Sequence, residues 1–577
     1  MKNLNVYNKM DSATLPDTLN NPDAFNTFFQ NSAPNIPLSN EILHKYSHSS
    51  SKTKFTLRLR PVGSKEIIDS ISLIKSNSSG EDTFTTHILK LFLPYSLPTI
   101  KHIINYSITK NVVPLSWKTA IVVPLPKKSN PEAYSDCRPI SLLNVMSKIL
   151  ERVVQNQLLT HVNSNQLLPQ NQSGFRKAHS TITTLLEVTD DILKSFDEAK
   201  VTTSVLLDYT KAFDSINHKL LIAKLRYFGV HDDSINWFHS YLTDRKQKVK
   251  LCGENGVVFS QYLNIKSGVP QGSILGPLLF AIYICDLPNI VKYTKIHYYA
   301  DDSQMYISYH PDEMDVAMEL LNIDLQNILS FSTSHCLQLN ATKSVVINFH
   351  SKHVKFTPQR QDVKIGSQNL LVVKSSRNLG ITFDQHLTFQ NHITNIVKSS
   401  YAKLRQLYNF RYVLPTDTKI KLTESLIIST CEYGSVVFGS CITTSEAHRL
   451  QKIQNSCLRF ATLTKRSQHV TPLYINNNIL NMNQRWKYRL ICLVHKILQN
   501  RMPLYLYKRL VFRGSLHQTQ LRYVDRTLHT PRHRTEMYKS SFSFSAAFQY
   551  NNIPENIKSL SLRNFKLELC KFLFAQK

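Results

Sequence analysis

No stretch of the 577 residues approaches the roughly 18 uninterrupted apolar residues that a bilayer-spanning helix needs. The start, Met1 to Pro16, also lacks the apolar run of a secretory signal. Both absences argue against a membrane or exported protein and for an intracellular one, with nucleus and cytoplasm both open. Cysteine is sparse and unorganised. Nine are scattered without a C-x-x-C pair or a histidine at zinc-knuckle spacing, which excludes a disulfide framework and a structural zinc. Acids are scarce too: 40 Asp and Glu face 69 Lys and Arg, a formal net charge of +29. Between Lys398 and Lys577 the balance is 29 basic residues to 8 acidic. An excess of that size favours a polyanionic partner, nucleic acid first, and puts the electrostatic handle in the last third.

The length exceeds one ordinary domain and suits two to four packed units. The first sixty residues, rich in Asn, Ser, Pro and Asp, read as a linker with a few short helices. Apolar spacing from Ser64 to Asn111 predicts two helices around a turn at 78–82, and Ala120–Leu125 predicts a buried strand. Helices are expected at Gln155–His161 and Thr181–Leu193. Residues 201 to 390 alternate short strands and helices. After Phe389 the period turns helical, with Ile393, Ile396, Val397, Tyr401, Leu404 and Tyr408 on one face. A Thr443-x-x-Glu446 capping box opens a further helix. Boundaries are expected near 390 and 470, and no internal repeat is visible.

Adjacent aspartates occur three times. Asp190-Asp191 and Asp232-Asp233 lie in polar or helical contexts and read as solvated charge. Asp301-Asp302 differs: it separates two β-prone segments, 295–300 and 303–309, and so reads as the tip of a hairpin. Two carboxylates at a buried tip repel unless a cation neutralises them. Asp208 ends the apolar run Ser204-Val-Leu-Leu and could supply a third. Three carboxylates suit two Mg²⁺ ions, with Mn²⁺ as an alternative, because Mg²⁺ takes few carboxylates and completes its shell with water and substrate phosphate. Such a pair lowers the pKa of an attacking hydroxyl and stabilises the leaving oxygen.

These residues fall into motifs. Leu207-Asp-Tyr-Thr-Lys-Ala-Phe-Asp214, the stretch from Ser267-Gly-Val-Pro-Gln-Gly to Phe280, and Tyr299-Ala-Asp-Asp302 resemble, in order, three boxes of reverse transcriptases. Asp136-Cys-Arg-Pro-Ile-Ser-Leu-Leu143, Gln172-Ser-Gly-Phe-Arg176 and Tyr283-Ile-Cys-Asp-Leu-Pro288 are most similar to the jockey and CR1 branch of non-LTR retrotransposons, where Asn often stands in place of Cys285. The likeness runs from about residue 60 to 460. It implies an α+β right-hand polymerase fold: fingers at 61–200, a palm with an antiparallel sheet at 201–390, a helical thumb at 391–470 and a basic helical extension at 471–577, after a linker at 1–60.

The resemblance further implies an RNA-directed DNA polymerase that takes an RNA template, a DNA primer and dNTPs, with Asp208, Asp301 and Asp302 as catalytic metal ligands. Lys127, with Lys128 as an equally placed rival, and Arg138 would grip the triphosphate. Tyr209, Phe213, Gln271 and Gly272 would bind the nucleotide. Lys343 would protonate the leaving pyrophosphate, and Leu379 and Gly380 would form the primer grip. Arg485-Trp-Lys-Tyr-Arg489 reads either as a stacking platform for nucleic acid or as an ordinary amphipathic helix. Neither an endonuclease before the polymerase nor an acidic RNase H set after it is expected. An RNA-dependent RNA polymerase, an intron-maturase-like enzyme and a non-catalytic RNA-binding remnant stay open as rivals, and the oligomeric state is not legible.

Overall fold

The computed structural model describes residues 15–253, 256–356, 362–515 and 527–576. The first 14 residues of the expected linker, and residues 516–526 of the expected C-terminal extension, lie outside the described residues. Compactness divides the chain into two units that alternate along the sequence: Met1–Phe175, Asp208–Val291 and Gln326–Asn340 form one, and Arg176–Leu207, Lys292–Leu325 and Ala341–Lys577 form the other.

In the first unit the strands Thr119–Pro126, Cys137–Leu142, Arg245–Gly253, Gly256–Phe259 and Leu263–Ile265 make a five-stranded sheet. Helices Ser64–Ser72, Thr86–Lys110 and Val145–Ser164 accompany it, so the two expected helices and the expected strand are present. The segment read as a linker is more than that. Asn21 caps the helix Pro22–Asn31 by accepting from the Ala24 amide, with Pro22 in the first turn. That helix buries Phe25 and Phe29 against Val122, Val249 and Leu251 of the sheet. Asn26 donates from its amide to Ser260 Oγ and the Gln261 carbonyl.

The second unit is built on a sheet ordered Leu371–Val372, Val345–Phe349, Val201–Leu207, Asp302–Tyr309, Lys295–Tyr299. All its pairings are antiparallel except that of the short edge strand. Val201–Leu207 is central and almost wholly buried, which suits its β-branched run. Its buried hydroxyls find partners: Thr203 Oγ1 lies 2.8 Å from Asn348 Oδ1 and 2.7 Å from the Tyr309 hydroxyl. Helix Thr181–Asp197, capped by Ser180, covers the sheet with Leu185, Leu186 and Ile192. The same apolar cluster continues through Phe389, Ile393, Ile453, Val494, Phe565 and Leu569, so packing is unbroken at 390 and at 470. What changes at 390 is secondary structure: helix Gln390–Tyr408 begins there, its start held by Asp384, which accepts from the Phe389 and Thr388 amides.

Three side-chain expectations are corrected. Asp190 and Asp191 are not solvated; Asp190 is 1% exposed and both carboxylates bind Arg509. On Gln390–Tyr408 the buried stripe is Ile393, Ile396, Leu404 and Leu407, whereas Tyr401 and Tyr408 are 41% and 40% exposed. Thr443 does cap its helix, but Glu446 turns to Arg449 instead of completing the box. Asp232 and Asp233 lie, as expected, on the surface of a helix first turn. All nine cysteines are free, five of them buried. Among the described residues no helix is long and apolar enough to cross a membrane.

Arg485 also departs from the reading as part of an open platform. It bridges Glu424 and Glu432 with only 15% of its side chain exposed, while Arg489, 55% exposed, reaches Glu432 from outside. Arg485→Met leaves Glu424 without its counter-charge and Glu432 with Arg489 alone, and should cost roughly 2–3 kcal/mol, read as a lower urea midpoint. Arg489→Ala should cost less than about 1 kcal/mol.

Candidate functional site

The two strands Lys295–Tyr299 and Asp302–Tyr309 pair with Tyr299 opposite Asp302, so Ala300 and Asp301 alone make the turn. Ala300 takes φ 59°, the positive value that a two-residue hairpin turn demands. The expected tip is therefore present and carries adjacent acids. It is not buried, however: Asp301 is half-buried and Asp302 exposed, so solvent screens their repulsion. Within the same sheet Leu207, the residue before Asp208, is the register partner of Ser303, the residue after Asp302.

One face of this hairpin is anchored step by step. The cross-strand pairs Tyr299/Asp302, His297/Gln304 and Lys295/Tyr306 alternate down it. Gln304 accepts from the Asn378 amide. Asn378 opens a second two-residue turn, Leu379-Gly380, between strands Ser375–Asn378 and Ile381–Asp384. Both turn residues have positive φ, 44° and 89°. Gly380 is required there for a further reason: a Cβ would come within 2.9 Å of the Tyr433 ring, whose hydroxyl donates to the Leu379 carbonyl. Lys343 lies exposed in the turn before strand Val345–Phe349.

The first unit holds the remaining motif residues. The segment 267–273 is drawn against its neighbours so closely that glycine is obligatory at two points. A Cβ on Gly268 (φ 80°) would meet Asp214 Cα at 2.7 Å, and one on Gly272 (φ 128°) would meet the Ser141 carbonyl at 2.6 Å. Gln271 accepts from the Ser141 amide through its main chain and donates Nε2 to both oxygens of Asp214, at 2.9 and 3.1 Å. Asp214 and Gln271 line a cleft of about 210 Å³ with Pro139, Ser141, Gln30 and Asn31. Phe213 stacks on Phe280 at 4.4 Å, with Phe175 at its edge. Tyr209 is buried, its hydroxyl 3.2 Å from Ser332 Oγ. Arg138 extends from its strand into solvent. Lys127 donates to the Ser135 carbonyl, whereas its rival Lys128 is occupied by Asp136 and Glu132. Asp208 accepts from the Asn340 amide through its carbonyl.

Three contributors were not anticipated. Asp214 closes the motif that Asp208 opens, yet only the structure reveals its bond to Gln271. Glu151, 1% exposed, takes the Ile274 and Leu275 amides at the start of helix Gly276–Tyr283, and Gln155 donates to the Ile274 carbonyl. A lone acid inside a helical pattern gives no sign of such a role. The N-terminal helix brings Gln30 and Asn31 to the cleft; the spacing Phe25, Phe28, Phe29 was the available signal.

The donor chemistry of Asp208, Asp301 and Asp302 is all carboxylate, which fits a hard divalent cation. Asp208 belongs to the first unit and the other two to the second, and among the described residues no three His, Cys, Asp or Glu side chains are gathered as a metal-holding group. A separate surface has the chemistry of a nucleic-acid interface. On Gln390–Tyr408, a helix with no acid, the exposed residues Lys398, Tyr401, Arg405 and Tyr408 recur at spacings of three and four and so share one face.

Burial pushes the Asp214 carboxyl up, against the opposing influence of Lys211 and the Gln271 amide. A carboxyl whose folded value exceeds its unfolded one keeps its proton in the folded chain where the unfolded chain has lost it. Its contribution thus favours folding at the acid end and is lost as pH rises through that window. Asp214→Asn keeps an acceptor for Gln271 and should be more stable than the parent at neutral pH, the advantage shrinking as pH falls into the carboxylate range. Urea midpoints from about pH 4 to about pH 8 measure this; a difference independent of pH would refute it.

Residues 125–383 match the family described as reverse transcriptase (RNA-dependent DNA polymerase). The chain is 28% identical over 427 residues to the probable RNA-directed DNA polymerase from transposon BS of Drosophila melanogaster, covering 71% of this chain and 45% of that protein. It is 27% identical over 409 residues to the RNA-directed DNA polymerase from mobile element jockey of the same species, covering 68% and 43%. The retrovirus-related Pol polyprotein from type-1 retrotransposable element R2 of Popillia japonica is 24% identical over 302 residues, covering 50% and 40%. The chain spans less than half the length of these relatives. Asp208, Gln271, Asp301 and Asp302 all fall inside the stretch 125–383 that matches the reverse transcriptase family, and that stretch is similar to proteins of jockey and related mobile elements.

Proposed function

We propose that the chain is an RNA-directed DNA polymerase of a non-LTR retrotransposon that extends a DNA primer on an RNA template. The observation that carries this reading is the family match together with one register: Leu207, followed in the chain by Asp208, pairs with Ser303, preceded by Asp301 and Asp302. Asp208, Asp301 and Asp302 would hold two Mg²⁺ ions. When bound, these would supply activation of the primer hydroxyl and charge stabilisation at the leaving oxygen. We assign fingers to 61–200, palm to 201–390, thumb to 391–470 and a basic extension beyond.

The chain's own residues then divide the work. Arg138, whose guanidinium suits bidentate phosphate binding, and Lys127 hold the triphosphate. Gln271 meets the nucleotide and template where Gly272 allows the backbone close approach. Tyr209, its ring buried, acts through its main chain. Leu379 and Gly380 support the primer, and Lys343 offers a proton to the pyrophosphate. Lys398, Tyr401, Arg405 and Tyr408 face the duplex. Phe213, held between Phe280 and Phe175, blocks the space of a ribose 2′-hydroxyl.

Primer extension on a homopolymeric RNA with dNTPs and Mg²⁺ tests the reading. Asp208→Asn, Asp301→Asn and Asp302→Asn should each cut kcat by at least about 10³-fold with smaller changes in KM and an unchanged circular dichroism spectrum. Full activity in any of the three removes that residue from the metal site. A parent that binds RNA but never extends a primer is the non-catalytic remnant.

Sugar choice separates this enzyme from an RNA polymerase. Phe213→Val should raise the ratio of rNTP to dNTP incorporation by about tenfold or more while part of the dNTP activity survives, because it relieves a clash and removes no reacting group. An unchanged ratio in an active variant discards the gate, and a parent that prefers rNTPs replaces this reading with the RNA-polymerase one.

A further inference from the structure

A polar cluster of the second unit centred on Arg509 lies outside the motifs. Arg509 donates Nε to Glu187 Oε2 at 2.7 Å, Nη1 to Asp190 Oδ2, and Nη2 to Asp191 Oδ1 at 2.9 Å. Three acids of one helix, Thr181–Asp197, thus converge on a guanidinium more than 300 residues downstream. Asp190 also takes the Ser543 amide and hydroxyl. The other oxygen of Asp191 accepts from Lys295 Nζ and from the Tyr306 hydroxyl, both at 2.7 Å.

Lys295 and Tyr306 are register partners in the hairpin whose tip is Asp301-Asp302. One step nearer the tip on the same face, the buried His297 ring meets the Tyr505 ring edge-on at 4.9 Å, and the Tyr505 hydroxyl donates to Thr183 Oγ1. Residues 505 and 509 therefore grip the hairpin at successive pairs, one directly and one through Asp191.

We infer that Arg509 and Tyr505 form a brace for the catalytic hairpin, with Arg509 a positioning residue acting through Asp191 and Tyr306 on Asp301 and Asp302. This rests on the reading of those two acids as metal ligands. Hydrophobic packing would bury this face as well and carries no desolvation cost. What a fork of charged hydrogen bonds adds is direction: it fixes one orientation of the helix against the strands. Tyr306 lies four residues from Asp302, about 13 Å along the strand, so a small tilt at the base displaces the tip carboxylates. Reactions that depend on alignment lose rate steeply for such shifts. The C-terminal segment is on this account a working part of the polymerase in addition to being basic.

The full chain is tested with Arg509→Lys, Arg509→Gln and Tyr306→Phe, the last removing one hydroxyl while leaving the acids and the guanidinium in place. Amide hydrogen exchange over residues 295–309 is measured without metal or nucleic acid, and primer extension is then titrated with Mg²⁺. Tyr306→Phe and Arg509→Gln should speed hairpin exchange by about tenfold. They should also raise the half-saturating Mg²⁺ concentration several-fold and lower kcat, with KM for dNTP within about twofold of the parent. Arg509→Lys should fall between. A role in stability alone would lower the unfolding midpoint and leave the Mg²⁺ requirement of the folded protein unchanged. If Tyr306→Phe alters neither hairpin exchange nor the Mg²⁺ requirement, the brace is overturned, whether or not Arg509→Gln folds. A parent without polymerase activity overturns the polymerase reading instead, and the exchange measurement alone then decides the brace.

Discussion

The antiparallel register of Val201–Leu207 against Asp302–Tyr309 is the constraint on which the second unit depends. A slip of Asp302–Tyr309 by one residue would reverse the faces of that strand. Tyr306 would leave Asp191, Gln304 would leave Asn378, and Thr203 would lose Tyr309. Several independent polar contacts thus specify the same alignment, and the tight Ala300-Asp301 turn fixes where the paired strand begins. The acids at that turn inherit their position from the register, not from local packing.

Scarcity of acid shapes the rest. With 8 carboxylate residues after Lys398, those near the core serve as internal counter-charges: Glu424 and Glu432 flank Arg485, and Glu446 holds Arg449. Arg509 finds no acid nearby in sequence and takes three from a helix made much earlier. Lys398 and Arg405, in the stripe on Gln390–Tyr408, stay exposed. Basic charge in this region therefore has two fates, and only the exposed part is available to a polyanion.

Much of the architecture was legible because period and turn chemistry are local. The strands around Asp301-Asp302 and the start of a helix at Gln390 both follow from short patterns. What escaped was set by distant partners. Asp190-Asp191 looks solvated until Arg509 is brought to it, and Arg485 looks like a surface cation until Glu424 and Glu432 surround it. Tyr401 and Tyr408 fit an apolar face by spacing but sit at its rim, where the polar end of tyrosine reaches water. The N-terminal helix was obscured by its Asn- and Pro-rich flanks, although Asn21 and Pro22 are the residues that start it. In the site, Gln271 and Gly272 were picked out by the motif that contains them, whereas Asp214 and Glu151 act through bonds that no spacing encodes.

The alternation of the two units along the chain bears on the order of assembly. Synthesis from the N-terminus completes the first unit once Asn340 has emerged. The second cannot close its sheet until Val345–Phe349 arrives to flank Val201–Leu207, and helix Thr181–Asp197 waits for residues beyond 500. During that interval its apolar face is uncovered and its acids are hydrated, a state in which a growing chain is open to wrong partners. The loops to be closed exceed 300 residues, so the contacts that finish the unit are among the slowest to form. A nascent chain of this protein is thus a finished half carrying an unfinished one, and the residues beyond 500 decide when the second becomes a folded body.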